Sequence, residues 1–505
     1  MKNRFYLNLC VSALFAVGVF SACTSSEDYL KVVPSDSSVL VSLDLASMAQ
    51  KGDVANNAAL KMLEGVALTS YPADTQKLLQ SVFEDPEKSG LDFAKPMVVS
   101  LRYEDKQPED EVVALDIEVS AVWAVKNAAD LESVVEQLLP GTIQIEEKEG
   151  IKIIDNPKYT LAFDKNTLLL STAERDAVSG YFNQPSSQQL IRTDKEFARF
   201  LETKADIASY CNYSTFHGLS DQLNMGGQMD SLMACCKDVK AVVFTNFENG
   251  RVVSNSKIVN FEKLPEYMRK WSHPSGRALD FLPVNSAFVV NFKVLSDIAS
   301  AKMFVAATQL ETELKSVGLT PADLTEIQGE GVLSLIDFNA NHVNYLVKLP
   351  LKSDKIWQVI KGYCTHPNIV QENDSLYSME TPYGKGYFGF AENSLFCMSD
   401  SLHQIVLPEG QYVDVEINYN GNRLSSIIGQ RTGVALDFKV LAACLRSLGD
   451  NQLVFVSEAL DRFDYWTTIG EMNGTSESVI QMADKQTNAL KQLIDICQTT
   501  TLKLK

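Results

Sequence analysis

The 505-residue sequence predicts an α+β fold made of two tandem related copies, mainly antiparallel sheet with flanking helices. Three observations carry that reading. Two alternating apolar stretches open through the same Pro/Ser turn, two helices share one apolar spacing, and two Asn-Gly turns each lead to a helix, all in the same order along the chain.

The first pair of motifs is residues 33–47 and 282–296. Pro34 matches Pro283, Ser37 matches Ser286, Val41 matches Val290 and Ser47 matches Ser296. The period of two in Val39, Val41, Leu43, Leu45 and in Phe288, Val290, Phe292, Val294 predicts strands that bury those residues. A helix with Leu131, Val134, Val135 and Leu138 on one face recurs as Ile356, Val359, Ile360 and Tyr363, with Asn127 and Ser353 as N-caps. A hairpin over residues 163–169 recurs over 390–396. A last helix, with Leu264, Tyr267, Met268 and Trp271, recurs as Leu490, Leu493, Ile494 and Cys497, after Asn249-Gly250 and Asn473-Gly474.

The offsets between copies are 249, then 225, 227 and 226. Near-constant spacing in conserved order is what a duplication leaves, and the drop from 249 places about 24 extra residues in the first copy. Runs of strands punctuated by single helices fit α+β. The expected organisation is a leader over 1–22, an acidic tether over 23–30, a first repeat over 31–272 and a second over 273–505. The seam falls at Ser272-His273-Pro274-Ser275-Gly276.

The leader has its own chemistry. Lys2 and Arg4 precede a nearly unbroken apolar run from Phe5 to Phe20, then Ser21-Ala22-Cys23 and the polar stretch Thr24-Ser25-Ser26-Glu27-Asp28. Charge, apolar run and small residues are the layout of a secretory signal, and the run is shorter than the roughly 20 residues a span needs. Small residues before a cysteine resemble a lipobox, which implies cleavage after Ala22 and lipid attachment at Cys23. Several acyl chains give stable anchoring where one is marginal. Glu27 and Asp28 resemble the surface-export signal of Bacteroidetes lipoproteins. Taken with the valine-rich strand entered through Val33-Pro34-Ser35-Asp36-Ser37-Ser38 and left through Asp44-Leu45-Ala46-Ser47-Met48, the chain resembles a family of Bacteroidetes lipoproteins known as a domain of unknown function. That resemblance implies an outer membrane lipoprotein, exposed at the cell surface if the acidic signal acts. It brings no catalytic residues.

Composition narrows the partners. Removing residues 1–22 takes Lys2 and Arg4 away, so the net charge of −19 becomes −21. Such a balance repels nucleic acid and anionic surfaces, and no basic patch interleaved with aromatics stands out. The apolar fraction of 45% is that of a globular chain. Beyond Cys23, the cysteines of the mature chain are Cys211, Cys235, Cys236, Cys364, Cys397, Cys444 and Cys497. That number is odd and most neighbours are apolar, so buried thiols are expected rather than a disulfide framework.

Motifs with chemistry are scarce. His217, His273, His342, His366 and His403 never fall at the i, i+4 spacing of a helical zinc pair, and Cys364-Thr365-His366 has no second pair of ligands. Neither a metal nor a cofactor is expected. Thr381-Pro382-Tyr383-Gly384-Lys385-Gly386 lacks the residues of a phosphate loop, and Asp337–Asn341 lacks the glycine and terminal carboxylate of a calcium loop, so both read as hairpin turns. No catalytic residue is nominated. The expectation is a lipid-anchored, non-enzymatic binding or support module, its partner a glycan, a peptide or an envelope protein. The alternative is an extracellular polymer hydrolase with a carboxylate pair that no linear motif reveals.

Overall fold

The computed structural model describes residues 27–57, 71–104, 116–138, 145–215, 238–264, 285–294, 311–391, 393–399, 422–429, 431–471 and 473–503, with a few isolated positions besides. Ala22 and Cys23 lie outside them, as do Cys235, Cys236 and most of the expected seam. The described residues form twenty strands and twelve α-helices, and every strand pair with a described register is antiparallel. The chain divides into two compact units: Met1–Met225 with Cys236–Val252 and Thr487–Lys505, and Gly226–Cys235 with Val253–Gln486. The division does not follow the expected seam at residue 272. The chain passes into the second unit after Val252 and returns for its last helix.

In the first unit, the strands are β1 (Val39–Leu43), β2 (Met97–Glu104), β3 (Asp116–Ala124), β4 (Glu146–Lys148), β5 (Ile151–Asn156), β6 (Tyr159–Phe163), β7 (Thr167–Ser171), β8 (Ile207–Asn212) and β9 (Lys240–Glu248). They order as β9-β8-β1-β2-β3-β7-β6-β5-β4. Helices α1 (Leu45–Lys51), α2 (Ala73–Glu84), α3 (Ala128–Leu138), α4 (Arg175–Asn183), α5 (Leu190–Thr193) and α6 (Lys195–Glu202) accompany them. Asn127 caps α3 as expected, accepting from the Ala129 amide at 3.0 Å. Leu131 and Val135 then pack with Leu91, Trp123, Ile154 and Phe163 in one apolar cluster. Gly90 sits against the start of that helix at φ +79°, where a Cβ would come within 2.4 Å of the Leu131 amide.

The second unit holds β10 (Arg251–Val259), β11 (Phe288–Val294), β12 (Gly329–Phe338), β13 (Val343–Pro350), β14 (Ile369–Asn373), β15 (Leu376–Thr381), β16 (Gly384–Ala391), β17 (Ser394–Ser399), β18 (Gly433–Asp437), β19 (Phe463–Gly470) and β20 (Thr475–Met482). Nine of them order as β19-β18-β11-β12-β13-β17-β16-β15-β14, the order of the first unit with every index raised by ten. Helices α7 (Glu311–Ser316), α8 (Lys355–Tyr363), α9 (Arg423–Ile428), α10 (Phe438–Ser447) and α11 (Asn451–Leu460) belong here. Residues 337–341 and 381–386 form hairpin turns, as expected. Helix α12 (Ala489–Lys503) returns to the first unit, where Lys491 pairs with Asp53 at 3.3 Å and Gln498 donates to Asn57 at 2.8 Å.

Two expected faces are turned. On β1 the tightly buried residues are Leu40 and Ser42, while Val39, Val41 and Leu43 are half-buried; on β11 they are Val289 and Asn291. Both strands are interior to their sheets and partly covered on each side, so alternation alone does not rank the two faces. On α8 the buried pair is Ile356 and Trp357, and Tyr363 is exposed. Trp357 turns inward because it meets Tyr377 edge-on and stacks on Phe390. Of the expected tether over 23–30, residues 23–26 lie outside the described residues. Glu27–Val32 form a 3-10 turn whose Tyr29 and Leu30 are buried.

Candidate functional site

Adjacent strands of the first sheet bring a polar row into its interior. Register pairs Arg102 with Glu118 across β2 and β3, and Ser120 with Ser171 across β3 and β7. Glu118 is 8% exposed, yet its strand neighbours Ile117 and Val119 are 48% and 38% exposed. This inverts the usual arrangement in which the polar face meets water. The inward face is stabilised by partners. Tyr181 on α4 donates to Glu118 at 2.6 Å, Ser120 donates to it at 3.1 Å, and Arg102 approaches it at 3.4 Å. Ser120 and Ser171 hydroxyls bond at 2.7 Å, and Arg102 continues outward to Asp36 at 2.8 Å. Burial and the adjacent Glu118 push the Tyr181 phenol well above its ordinary range. Burial opposes the charge on Arg102, but Asp36, Tyr181 and Glu118 outweigh it and hold the guanidinium protonated.

The network runs to the surface at the loop after β7. Ala173 donates its amide to the Ser171 hydroxyl at 3.0 Å, and its carbonyl accepts from Thr160 at 3.0 Å. Thr160 and Ala173 line an open depression of about 390 Å³ with Asp155, Lys158, Tyr159, Glu174, Arg175 and Asp176. Arg175 is paired with Glu146. The depression therefore presents both charge signs on a solvated rim, above a network whose carboxylate already accepts from Tyr181, Arg102 and the Ser120–Ser171 hydroxyl pair. Such a site suits a polar ligand held by hydrogen bonds.

The corresponding row of the second unit is mostly apolar. One row across the first sheet reads Tyr210, Leu40, Ser100, Ser120, Ser171, Thr160; across the second it reads Ala435, Val289, Ser334, Leu346, Met398, Tyr387. Leu346, Met398 and Tyr387 belong to the main apolar cluster there, together with Val332, Leu424 and Ile428. Leu346 and Met398 thus stand where the first unit has the Ser120–Ser171 pair.

Other buried carboxylates are equally committed. Asp206, at 2% exposure, accepts from Ser47 at 2.6 Å, from Lys51 at 2.7 Å and from the Phe247 amide at 2.6 Å. Asp194 caps α6, pairs with Lys240 at 2.5 Å and accepts from Tyr210. Burial would raise its carboxyl, but Lys240 and Tyr210 hold it below its ordinary value.

Of the residues singled out in the sequence, the structure describes Glu27 and Asp28. Asp28 lies 3.5 Å from Arg192 on the exposed surface and does not join the polar row. Cys211, Cys364, Cys397, Cys444 and Cys497 form no disulfides. Burial raises the thiols of the first four, whereas Cys497 is exposed. Among the described residues, no three His, Cys, Asp or Glu side chains cluster closely enough to hold a metal, and no helix is long and apolar enough to cross a membrane. Sequence reasoning missed Arg102, Glu118 and Tyr181. In sequence, Ile117-Glu118-Val119-Ser120-Ala121 reads as a strand with its charges in water.

Residues 29–315 match the family described as Domain of unknown function (DUF4836). No curated protein matches the chain. Three crystal forms of TP0453 are similar at a TM-score of 0.25 and 9% or 10% identity, covering 45–48% of this chain and 79–85% of that one.

Proposed function

This chain belongs to the DUF4836 family, whose match covers more than half its length, and because that description carries no activity we propose a function from the geometry alone. The protein is a lipid-anchored, non-enzymatic binding or support module of the bacterial envelope. The observation that carries this is the saturation of the buried carboxylates. Glu118, Asp194 and Asp206 are consumed by internal donors, and the depression beside the polar row is open, of mixed charge, and shaped for contact. Its ligand class is a glycan, a peptide or another envelope protein.

The address follows from the leader. Cleavage after Ala22 and lipidation of Cys23 would join the lipid to the body through the short acidic tether that begins at Cys23. Glu27 and Asp28 stand at the start of the folded body, a position that suits an export signal read at the outer membrane of a Bacteroidetes cell. The body is read as two copies of one α+β repeat, supported by the shared strand order and by the matching motifs. The surplus in the first copy then lies in two places. Val39 and its partner Leu101 are 62 residues apart where Phe288 and Leu335 are 47 apart, and Leu101 and Val119 are 18 apart where Leu335 and Tyr345 are 10 apart.

Two measurements test the proposal. In protease shaving of intact cells, wild type should be cut, Cys23→Ala released, and the Glu27→Ala, Asp28→Ala double variant protected. Shaving-resistant wild type would reject surface exposure. The purified body incubated with envelope polysaccharides should release no reducing ends. Release that is lost in Asp155→Asn or Glu174→Gln would replace the binding reading with a hydrolase.

A further inference from the structure

In the second unit, three cations converge on one carboxylate. Asp464 on β19, 3% exposed, lies 2.6 Å from Arg423, 3.3 Å from Lys439 and 3.8 Å from Lys485. Arg423 opens α9 and also reaches Asp437 at 3.3 Å, while Asp437 caps α10 through the Lys439 and Val440 amides. At Asp464 and Asp437, three positive groups meet two carboxylates, in a chain whose net charge is −19, with Asp484 next in sequence to Lys485.

The exposures divide the roles. Asp464 and Asp437 side chains are 5% and 8% exposed, whereas those of Lys439 and Lys485 are 59% and 64% exposed. Like-charged ammonium groups are gathered at a cost, and the internal carboxylate offsets it before any ligand arrives. Each ammonium has three donors, and those not aimed at Asp464 face water. The planar fork of Arg423 is already occupied by Asp464 and Asp437, and the guanidinium lies over the Tyr465 ring. What remains for a ligand is a pair of compact point charges rather than a fork. Two point charges side by side favour a multiply charged oxyanion such as phosphate over a singly charged carboxylate.

We propose that Lys439 and Lys485, backed by Arg423 and held together by Asp464, form a binding site for a phosphate group. Phosphate could come from solution or from a lipid headgroup, and the chemistry at the two ammonium groups is the same. The test uses the full mature body at low ionic strength. One arm titrates inorganic phosphate by calorimetry, and a second measures co-sedimentation with phosphatidylcholine vesicles with and without phosphatidic acid. Binding in either arm should weaken at least about tenfold in the Lys439→Gln, Lys485→Gln double variant, which loses two charge-assisted contacts. The arm that binds identifies the source. Both lysines are exposed, so the variant should keep wild-type circular dichroism, and Lys439→Arg with Lys485→Arg should restore binding. No binding in either arm, or binding that the double variant leaves unchanged, overturns the proposal.

Discussion

Tyr181 and Glu118, 63 residues apart in the chain, share a 2.6 Å hydrogen bond inside the first sheet. This bond lets a carboxylate sit on the inward face of β3 while Ile117 and Val119 face out. Tyr181→Phe removes the donor and leaves an under-satisfied buried carboxylate, so the body should lose about 1–3 kcal/mol in urea unfolding. Glu118→Gln combined with Tyr181→Phe should cost less than the separate losses added together. Additive losses would show that the two side chains are not coupled.

Asp206 joins α1 to the β8–β9 region through Ser47, Lys51 and the Phe247 amide. Asp206→Ala strands three donors at once and should cost about 3 kcal/mol or more. Lys51→Met, which removes one partially exposed partner, should cost less. The order of the two denaturation midpoints is the check.

Asp323 is held at about 2, below its ordinary 3.8, first by Lys355 and then by Thr320. A depressed carboxylate adds stability that is complete above the unfolded value and is lost as pH falls through the folded one. Between pH 4 and pH 2, melting temperature should therefore fall less steeply in Asp323→Asn than in wild type. Parallel slopes would remove Asp323 from the account of acid unfolding.

Gly474 closes the β19–β20 hairpin at φ +77°, and a Cβ there would lie 2.5 Å from the Phe261 ring. Gly474→Ala combines a left-handed backbone with a steric clash and should destabilise by about 1–3 kcal/mol. Phe261→Ala in the same background should recover part of that loss if the clash matters. An unchanged double variant would assign the whole cost to the backbone.

Local rules made much of the architecture legible. Asn127 caps α3 because its side chain reaches the second and third helical amides, and that preference belongs to the residue itself. The turn at 164–166 closes because Asp164 accepts from the Asn166 and Thr167 amides. Other features were out of reach of local rules. Trp357 rather than Tyr363 faces inward because Tyr377 and Phe390 stand opposite, on strands whose register the helix sequence does not encode. The lysines of the phosphate site come from α10 and from the loop after β20, and only folding brings them to Asp464.

By itself the sequence determined a mixture of α and β elements with their local caps and turns, and a strongly acidic composition. These depend on residue type and on spacing within one element. It also determined that Glu118 and Ser120 share a face of β3, because a strand alternates strictly. Tertiary structure alone decided that this face points inward. A strand has two equivalent sides, and the covered one is whichever finds partners there: Tyr181 from α4, Ser171 from β7 and Arg102 from β2.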